Sequence, residues 1–509
     1  MMKNVFQTDK KKRIIVPVCF GIIVFIIAYF TYFKNYWYPP NLFWDENYHI
    51  AASEKYLKGI FFMEPHPPLG KLFIALGEYI WHPNDTIDKT VFLTTDYIKN
   101  IPSGYSFIGV RFFPALFAMF SSVLFYLILY RLSKKPFLSF LFTSLYLFEN
   151  AIIVHSRGAM LESIQIFFML LMILVFLRNL DSVDRYSVLK KSLCFKTYAV
   201  LGILFGLVVA VKLNGFILIL LYFFLFVYER YKLVSHHKKN KIIDKKSFVR
   251  LIINSLWFVW GTAFICVSVY YIHFFIGRTV LENRYYEASD KYKKILDQKK
   301  THYIEYLPIQ LNEHVAFISH YEKGVPKYDP CKPGENGSHP VTWPFGNKSI
   351  NYRWEAADGK VKYLYLQGNP LVWFFGLSGV FLSINLVISY LLFGLKVQDK
   401  KRLFLIASFL MLYVLYMVSM ISLDRVMYLY HYFIPLILSI IQFFLMIQYL
   451  FQSRIEKGNR FLYFFVIVGV TMIVCVYLFF SPLSYYIPLS NDEFQLRNWF
   501  WFWKLTSIR

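Results

Sequence analysis

Long apolar stretches alternate with short polar connections through most of the 509-residue chain. A helix that crosses the ~30 Å hydrocarbon core needs about 20 apolar residues, because it rises ~1.5 Å per residue. Stretches this continuous do not show the alternation of barrel strands. The pattern therefore predicts an all-α polytopic membrane protein with about eleven transmembrane helices, near residues 14–33, 107–130, 137–153, 159–177, 197–211, 214–228, 251–276, 370–394, 403–421, 426–450 and 461–481.

The basic residues of the connections predict how the chain crosses the membrane. Lys and Arg concentrate in every second connection, which the positive-inside rule places in the cytoplasm together with the N-terminus. We expect the opposite set, with the long segments 34–106 and 277–369 and the tail after 482, to be extracytoplasmic. The basic run at 10–13 precedes a stretch of span length without a small-residue cleavage site, which indicates a retained first helix. The cytoplasmic set lies around residues 3–13, 131–135, 178–196, 230–250, 396–402 and 454–460.

The two long outer segments have different patterns. Segment 34–106 is amphipathic, and its apolar positions predict short interfacial helices at 50–57 and 69–80. Segment 277–369 is polar and predicts strands at 351–354 and 360–366 around an Asp-Gly turn, within a small mixed outer unit. This predicts three domains: a transmembrane half 1–276 with the first outer loop 34–106, an extracytoplasmic loop unit 277–369, and a C-terminal transmembrane part with an outer tail, 370–509.

Composition narrows the function class. The chain is 57% apolar and 21% aromatic, with a mean hydropathy of +0.43, which excludes a soluble globular enzyme. The formal charge of +24 belongs in loops beside the membrane, so we expect membrane lipid and no nucleic acid as a partner. Of five cysteines only Cys331 falls in a sizeable outer loop, so no disulfide framework is expected.

Ionisable residues gather near the predicted outer face of the membrane. Polar side chains at the ends of spans are costly to bury and are functional candidates by default. Acids and cations at this level suit a reaction between a lipid-phosphate donor and an extracytoplasmic acceptor. The set comprises Asp45, Glu46, Arg111, Arg157, Glu162, Lys212, Asp424, Arg425 and His431.

Two short motifs carry the most chemistry. Asp45 follows Phe43 and Trp44, so desolvation would make its carboxylate a stronger base. A structural alternative is a helix N-cap, and both roles are compatible. The motif His-Pro-Pro-Leu-Gly-Lys at 66–71 stiffens a turn and places Lys71 to meet an anion. An interfacial snorkelling lysine is the structural alternative there.

The sequence gives little indication of a metal site. Oxygen atoms of Glu46 or Glu162 could hold a divalent cation, which is left open as the one candidate cofactor. His314 and His320 lack a third clear ligand, so a solvated or hydrogen-bonding role is favoured over zinc. The basic loop at 236–239 suits contact with anionic lipid on the cytoplasmic face.

The acid pair at 45–46 and the block Glu-Pro-His-Pro-Pro-Leu-Gly-Lys at 64–71 closely resemble the first outer loop of protein O-mannosyltransferases, especially the shorter bacterial type. The most specific part is the block at 66–71 with its upstream acid pair. The resemblance covers residues 40–435 and continues, in order, at 109–116, 156–163, 211–215, 339–344, 368–373 and 425–432.

The resemblance implies a GT-C glycosyltransferase of the plasma (inner) membrane. Such an enzyme transfers a sugar, usually mannose, from a polyprenyl-phosphate carrier to Ser or Thr of secreted proteins, with inversion. Carried onto this chain, Asp45 would be the general base and Glu46 would assist it or orient the substrate. The remaining assignments are the donor-phosphate residues Arg111, Arg157, Lys212, Arg425 and Lys71, and the pocket-shaping residues His66, Glu162 and His431.

The sequence also departs from the family pattern. Glu162 stands where the family generally has Asp, and Leu213-Asn214 replaces a Trp-containing pair, so the identity of the sugar stays open. Segment 277–369 has no room for the large lumenal MIR insertion of the eukaryotic enzymes. A GT-C transferase acting on a lipid or cell-envelope glycan is the alternative. A lipid-linked sugar transporter is less favoured, because its site would lie near the bilayer midplane.

Overall fold

The computed structural model describes residues 2–188, 193–237 and 245–508. The predicted cytoplasmic residues Lys190 and Lys191, and residues 238–239 of the basic loop at 236–239, lie outside that range. Within it the chain is mainly helical. The helices are α1 (Met2–Ala28), α2 (Glu46–Lys58), α3 (Leu69–Trp81), α4 (Thr90–Leu93), α5 (Ile108–Ser133), α6 (Pro136–Leu147), α7 (Asn150–Ser156), α8 (Glu162–Val188), α9 (Phe195–Val209), α10 (Leu220–His237), α11 (Lys245–Ile276), α12 (Asp290–Asp297), α13 (Leu307–Gly324), α14 (Pro370–Leu392), α15 (Lys400–Ile421), α16 (Phe433–Leu450), α17 (Gln452–Glu456), α18 (Arg460–Tyr485) and α19 (Asn491–Gln495).

Among the described residues, eight helices are long and apolar enough to cross a membrane. A ninth span results if α6 and α7, bent by 65° at their junction, are counted as one. Two of the eleven predicted spans fall short for physical reasons. Helix α9 has only 15 residues, and the stretch at 214–228 begins with a 3-10 segment, Leu213–Ile219, before the charged helix α10. Every predicted apolar stretch is nevertheless helical over most of its length, as expected for a polytopic membrane protein.

The chain forms two compact units built from discontinuous segments. The first unit contains the residues up to Lys34, Met119–His155 and Lys327–Arg509, and the second contains Asn35–Ala118 and Ser156–Pro326. These units do not coincide with the linear division at 276 and 369, because segments distant in sequence pack together.

A small antiparallel sheet in the first unit confirms the predicted hairpin. Strands β1 (Ile350–Ala357) and β2 (Lys360–Leu366) pair with Trp354 opposite Tyr363. Asp358 and Gly359 take the left-handed conformation that a two-residue hairpin turn requires, with φ of 53° and 72°. A short β3 (Pro488–Leu489) from the C-terminal part pairs with β2 and completes the sheet.

In the second unit, α2 and α3 confirm the two predicted short helices of the first loop. Helix α2 ends at Gly59, which takes a left-handed conformation with a φ of 67°. Helix α3 packs closely on α5, because a Cβ added to Gly77 would lie 2.3 Å from the carbonyl oxygen of Gly109. This contact holds α3 against the membrane span α5, and α2 packs on α3.

Candidate active site

Asp45 lies at the N-terminus of α2, in the second unit. Trp44 before it has a φ of 52°, which costs a bulky residue about 1–2 kcal/mol and bends the chain sharply into the helix. Asp45 occupies the N-cap position, but its side chain makes no capping hydrogen bond to the helix. The half-buried carboxylate is therefore not used as the helix cap that the sequence allowed.

The Glu46 carboxylate anchors the start of α2 through hydrogen bonds to other segments of the chain. It is fully buried and accepts hydrogen bonds from Arg111 Nε at 2.6 Å, from Arg111 Nη2 at 2.8 Å and from the backbone N–H groups of Ala159 and Phe43 at 2.8 and 3.1 Å. Glu46 thus joins the first loop, the span α5 and the loop before α8. This geometry fixes the backbone next to Asp45.

The Arg111 guanidinium is bound by groups of the protein itself. Its five N–H bonds are used by Glu46 and by the carbonyl oxygens of Trp37, Pro39 and Asn41, at 2.6–2.8 Å. The guanidinium also stacks 4.0 Å from the Phe107 ring centroid and is fully buried. All five N–H groups are used within the protein in this arrangement, so a donor phosphate would have to displace one of these partners. The assignment of Arg111 to that phosphate stays a prediction.

The loop between α7 and α8 approaches the start of α2 closely. A Cβ added to Gly158 would lie 2.7 Å from the Phe43 ring and 3.3 Å from Glu46 Oε1, so glycine permits this approach. Arg157, which is 5% exposed, donates from Nη2 to the carbonyl of Asn35 at 2.7 Å. These contacts bring Arg157 into the same unit as Asp45.

His49 is a site residue that the sequence reasoning did not assign. It is buried one turn after Asp45, and its Nδ1 lies 2.7 Å from the carbonyl oxygen of Ala159. Burial, helped by the charge of Lys71, lowers the pKa of His49 to about 3. The ring is therefore neutral, with Nδ1–H donating and Nε2 able to accept. Its i,i+4 spacing from Asp45 was the available signal.

Both lysines of the predicted site form buried ion pairs. Lys71 in α3 is 1% exposed and pairs with Glu64, whose pKa burial raises although Lys71 opposes the shift. Lys212 lies at the break after α9 and donates to Glu162 Oε1 at 2.5 Å. Each ammonium group carries three hydrogens, so a carboxylate partner does not use its full donor capacity.

His66 marks where these charges converge. Burial, with the positive charges of Lys212 and Lys71, keeps the pKa of His66 well below its ordinary value. The negative charge of Glu162 acts on this ring in the opposite direction. The structure thus brings Lys71, Glu162 and Lys212 within electrostatic reach of His66. The roles assigned to these residues stay predictions.

A buried histidine pair lies behind Lys71. His314 is 1% exposed rather than solvated, and its ring centroid is 5.2 Å from that of His273 in α11. Tyr56 in α2 hydrogen bonds to His273 Nδ1 at 2.8 Å. Burial lowers the pKa of His314 to about 4, so the ring is neutral. This cluster connects α2, α11 and α13 and was not identified from the sequence, because its members lie far apart in the chain.

The other two assigned residues, Arg425 and His431, belong to the first unit. His431 is 8% exposed, its Nδ1 lies 3.0 Å from the Tyr428 carbonyl oxygen, and its ring stacks on Tyr430 with centroids 4.6 Å apart. Arg425 is half-buried. Their assignments to donor phosphate and pocket stay predictions.

Over residues 2–188, 193–237 and 245–508, no group of three or more His, Cys, Asp or Glu side chains is arranged to hold a metal ion. Glu46 accepts from Arg111, and Glu162 from Lys212. A divalent cation at either carboxylate stays a prediction.

We call the group Asp45, Lys71, Arg157, Glu162 and Lys212 in the second unit the acid–cation site. The fold and this site define a polytopic membrane protein of the GT-C glycosyltransferase class. The family model for dolichyl-phosphate-mannose-protein mannosyltransferase matches residues 22–277, and the model for the C-terminal four-transmembrane region of protein-O-mannosyltransferase matches residues 329–503. The chain belongs to the protein O-mannosyltransferase family.

Individual relatives agree with the family models. Protein O-mannosyl-transferase 1 of Danio rerio is 33% identical over 160 residues, 31% of this chain and 21% of the relative. Dolichyl-phosphate-mannose-protein mannosyltransferase 1 of Candida albicans is 32% identical over 144 residues, 28% of this chain and 16% of the relative. The matches thus span about a fifth of these relatives.

The fold has a solved counterpart. The structure of the S. cerevisiae protein O-mannosyltransferase Pmt1-Pmt2 complex bound to the sugar donor matches with a TM-score of 0.77, covering 97% of this chain and 93% of that one. At 15% identity, this similarity establishes the shared fold.

Proposed function

We propose that the protein transfers mannose from a polyprenyl-phosphate carrier to Ser or Thr hydroxyl groups of secreted proteins, on the extracytoplasmic face of the plasma membrane. Family membership supports the reaction, and the named relatives are mannosyltransferases that act on proteins. The observation that carries the proposal is the buried Glu46–Arg111 ion pair, which we call the Glu46–Arg111 clamp. Glu46 also accepts a hydrogen bond from Ala159, so it holds the backbone of Asp45 beside the loop that leads to Glu162.

Asp45 is the general base of the proposed reaction. Its carboxylate takes the proton of the acceptor hydroxyl while that oxygen attacks the anomeric carbon from the face opposite the phosphate. The bond between the anomeric carbon and the phosphate oxygen breaks, and the phosphate leaves with the electron pair. The configuration of the sugar is inverted.

The cations compensate the charge of the departing phosphate. Lys71, Lys212 and Arg157 are the candidates in the second unit, and Arg425 is retained as a candidate from the first. A phosphate would share Lys71 and Lys212 with Glu64 and Glu162, respectively. Positively charged groups held in a buried site stabilise a developing anion without reorganisation. The neutral His49 can accept a hydrogen bond at Nε2 from a hydroxyl of the sugar or of the Ser or Thr substrate.

The test uses purified full-length protein with defined polyprenyl-phosphate mannose and a Ser/Thr peptide, followed by mass spectrometry of the peptide. We expect a gain of one hexose, and none on a peptide with Ala in place of Ser and Thr. A labelled glycolipid or glycan with unmodified peptide would favour the alternative acceptor class. Translocation of the lipid-linked sugar without a glycosidic product would indicate a transporter.

Asp45→Asn should lower transfer by about 10²–10⁴-fold, because the amide cannot accept the hydroxyl proton. Asp88→Asn is the matched control, since Asp88 lies in the same loop and bonds only locally to Thr90 in the described contacts. Thermal unfolding of both variants should match the unmodified protein. Full transfer by a stably folded Asp45→Asn variant would refute the base assignment.

A further inference from the structure

A groove on the membrane-spanning part of the first unit has no role in the proposed reaction. It has a volume of about 370 Å³ and runs between α6, α14, α16 and α18. From Phe461 to Ile473 it follows α18 for roughly 18 Å, at 1.5 Å per residue. Its lining is almost entirely apolar, which suits a hydrocarbon chain rather than a peptide or a sugar.

The groove has space that the described residues do not fill. A Cβ added to Gly469 in α18 would meet no atom within 4 Å, although Gly469 lines the groove. Phe461 and Phe465, which also line it, are 64% and 55% exposed. Only 17% of the apolar window in α18 is buried, so this helix presents most of its surface to lipid.

One end of the groove is cationic. Arg454 lines it there, stacked 5.8 Å from the Phe451 ring centroid, and Lys457 and Arg460 follow within six residues. All three side chains are exposed, and none takes part in an ion pair among the described residues. The nearby acid, Glu456, accepts a hydrogen bond from Gln452 at 2.9 Å. An apolar slot with a cationic mouth is complementary to an anionic lipid.

We propose that this groove binds an anionic phospholipid, with one acyl chain along α18 and the headgroup phosphate on Arg454. The guanidinium can hold two phosphate oxygens at once, and Lys457 and Arg460 add positive charge beside it. This site is separate from the proposed transfer reaction. By the predicted topology it belongs to the cytoplasmic leaflet, whereas the acid–cation site is extracytoplasmic.

Lipid retention tests the proposal directly. Full-length protein is delipidated, incubated with equal amounts of phosphatidylglycerol and phosphatidylcholine, and analysed by native mass spectrometry. We expect selective retention of phosphatidylglycerol, reduced about fivefold by Arg454→Gln. Lys396→Gln is the matched control, because Lys396 is an exposed cation on the same predicted face that does not line the groove. This control should retain phosphatidylglycerol normally.

Gly469→Leu tests the chain-binding part without changing charge. The leucine side chain enters open space and leucine favours helix, so the fold should persist while retention of both lipids at this site falls. Equal phosphatidylglycerol retention by Arg454→Gln and the unmodified protein would overturn the proposal. Displacement of the lipid by polyprenyl phosphate at equal concentration would also overturn it. The same holds if Gly469→Leu changes the oligomeric state of the protein but still retains the lipid normally.

Discussion

At the scale of single residues, adjacent acids have different structural roles. Glu46 is buried in four hydrogen bonds that hold Arg111 and the neighbouring loop, whereas Asp45 is half-buried and makes no capping bond. The sequence predicted both acids as site residues. It could not show which was the structural one, because the partners Arg111 and Ala159 come from other parts of the chain.

This division predicts distinct mutant behaviour. Glu46→Gln should lower both transfer and the free energy of unfolding, the latter by about 3–5 kcal/mol, because Arg111 then keeps a buried charge without its carboxylate. Adding Arg111→Met should recover part of that stability without restoring transfer. Thermal unfolding in detergent, combined with the peptide assay, measures both. A Glu46→Gln variant as stable as the unmodified protein would show that the Glu46–Arg111 ion pair does not stabilise the fold.

Glu78 in α3 predicts a pH dependence of stability. Burial raises its pKa to about 7, opposed by a hydrogen bond from Asn84 and by Lys89 and reinforced by Glu54. The fold therefore favours the protonated carboxyl. Stability from this group is fully present below the unfolded pKa of about 4.3 and is lost as pH rises through 7.

Glu78→Gln should remove that loss. Between pH 5.5 and 8.5 we expect the unmodified protein to lose on the order of 2–3 kcal/mol through this group, and the variant to lose less. Melting temperatures at both pH values measure the difference. Glu305→Gln, at an exposed position, should keep the original dependence. Identical pH profiles for Glu78→Gln and the unmodified protein would disprove this explanation.

At the scale of elements, the apolar pattern predicted where helices form and the break near Lys212, but not the bend within 137–153. The predicted span at 137–153 is bent by 65° between α6 and α7, and Lys212 interrupts the hairpin after α9. Both breaks lie beside buried polar groups, the carboxylates of Glu149 and Glu162. Lys212 is a charge within an apolar run and is visible in the sequence, whereas hydropathy averages over the bend at Glu149.

Close helix packing gives an element-scale prediction. Gly77→Ala should lower the free energy of unfolding by about 1–3 kcal/mol, because its Cβ would overlap the Gly109 carbonyl of α5, and backbone cannot yield as a side chain does. Gly469→Ala is the matched control, with open space around its Cβ and an expected neutral or stabilising effect. Chemical or thermal unfolding would compare them. Equal stability of both variants would argue against the α3–α5 contact.

At the scale of the whole molecule, the orientation in the membrane follows from charge bias and stays a prediction. Single-cysteine variants can test it. A membrane-impermeant maleimide on intact cells should label exposed Cys331, and should label exposed Cys194 only after the membrane is opened. The labelling ratio should reverse in inverted vesicles. Labelling of Cys194 from outside would reverse the proposed topology and place the acid–cation site in the cytosol.

The sequence by itself determined the helical membrane class, the family, the hairpin around Asp358 and the two loop helices, since each depends on local periodicity or short motifs. Tertiary structure alone decided that Arg111 pairs with Glu46 and that His49 and His314 are buried and neutral. It also decided that the chain packs as two discontinuous units. Those features depend on contacts between distant segments, which local patterns do not encode.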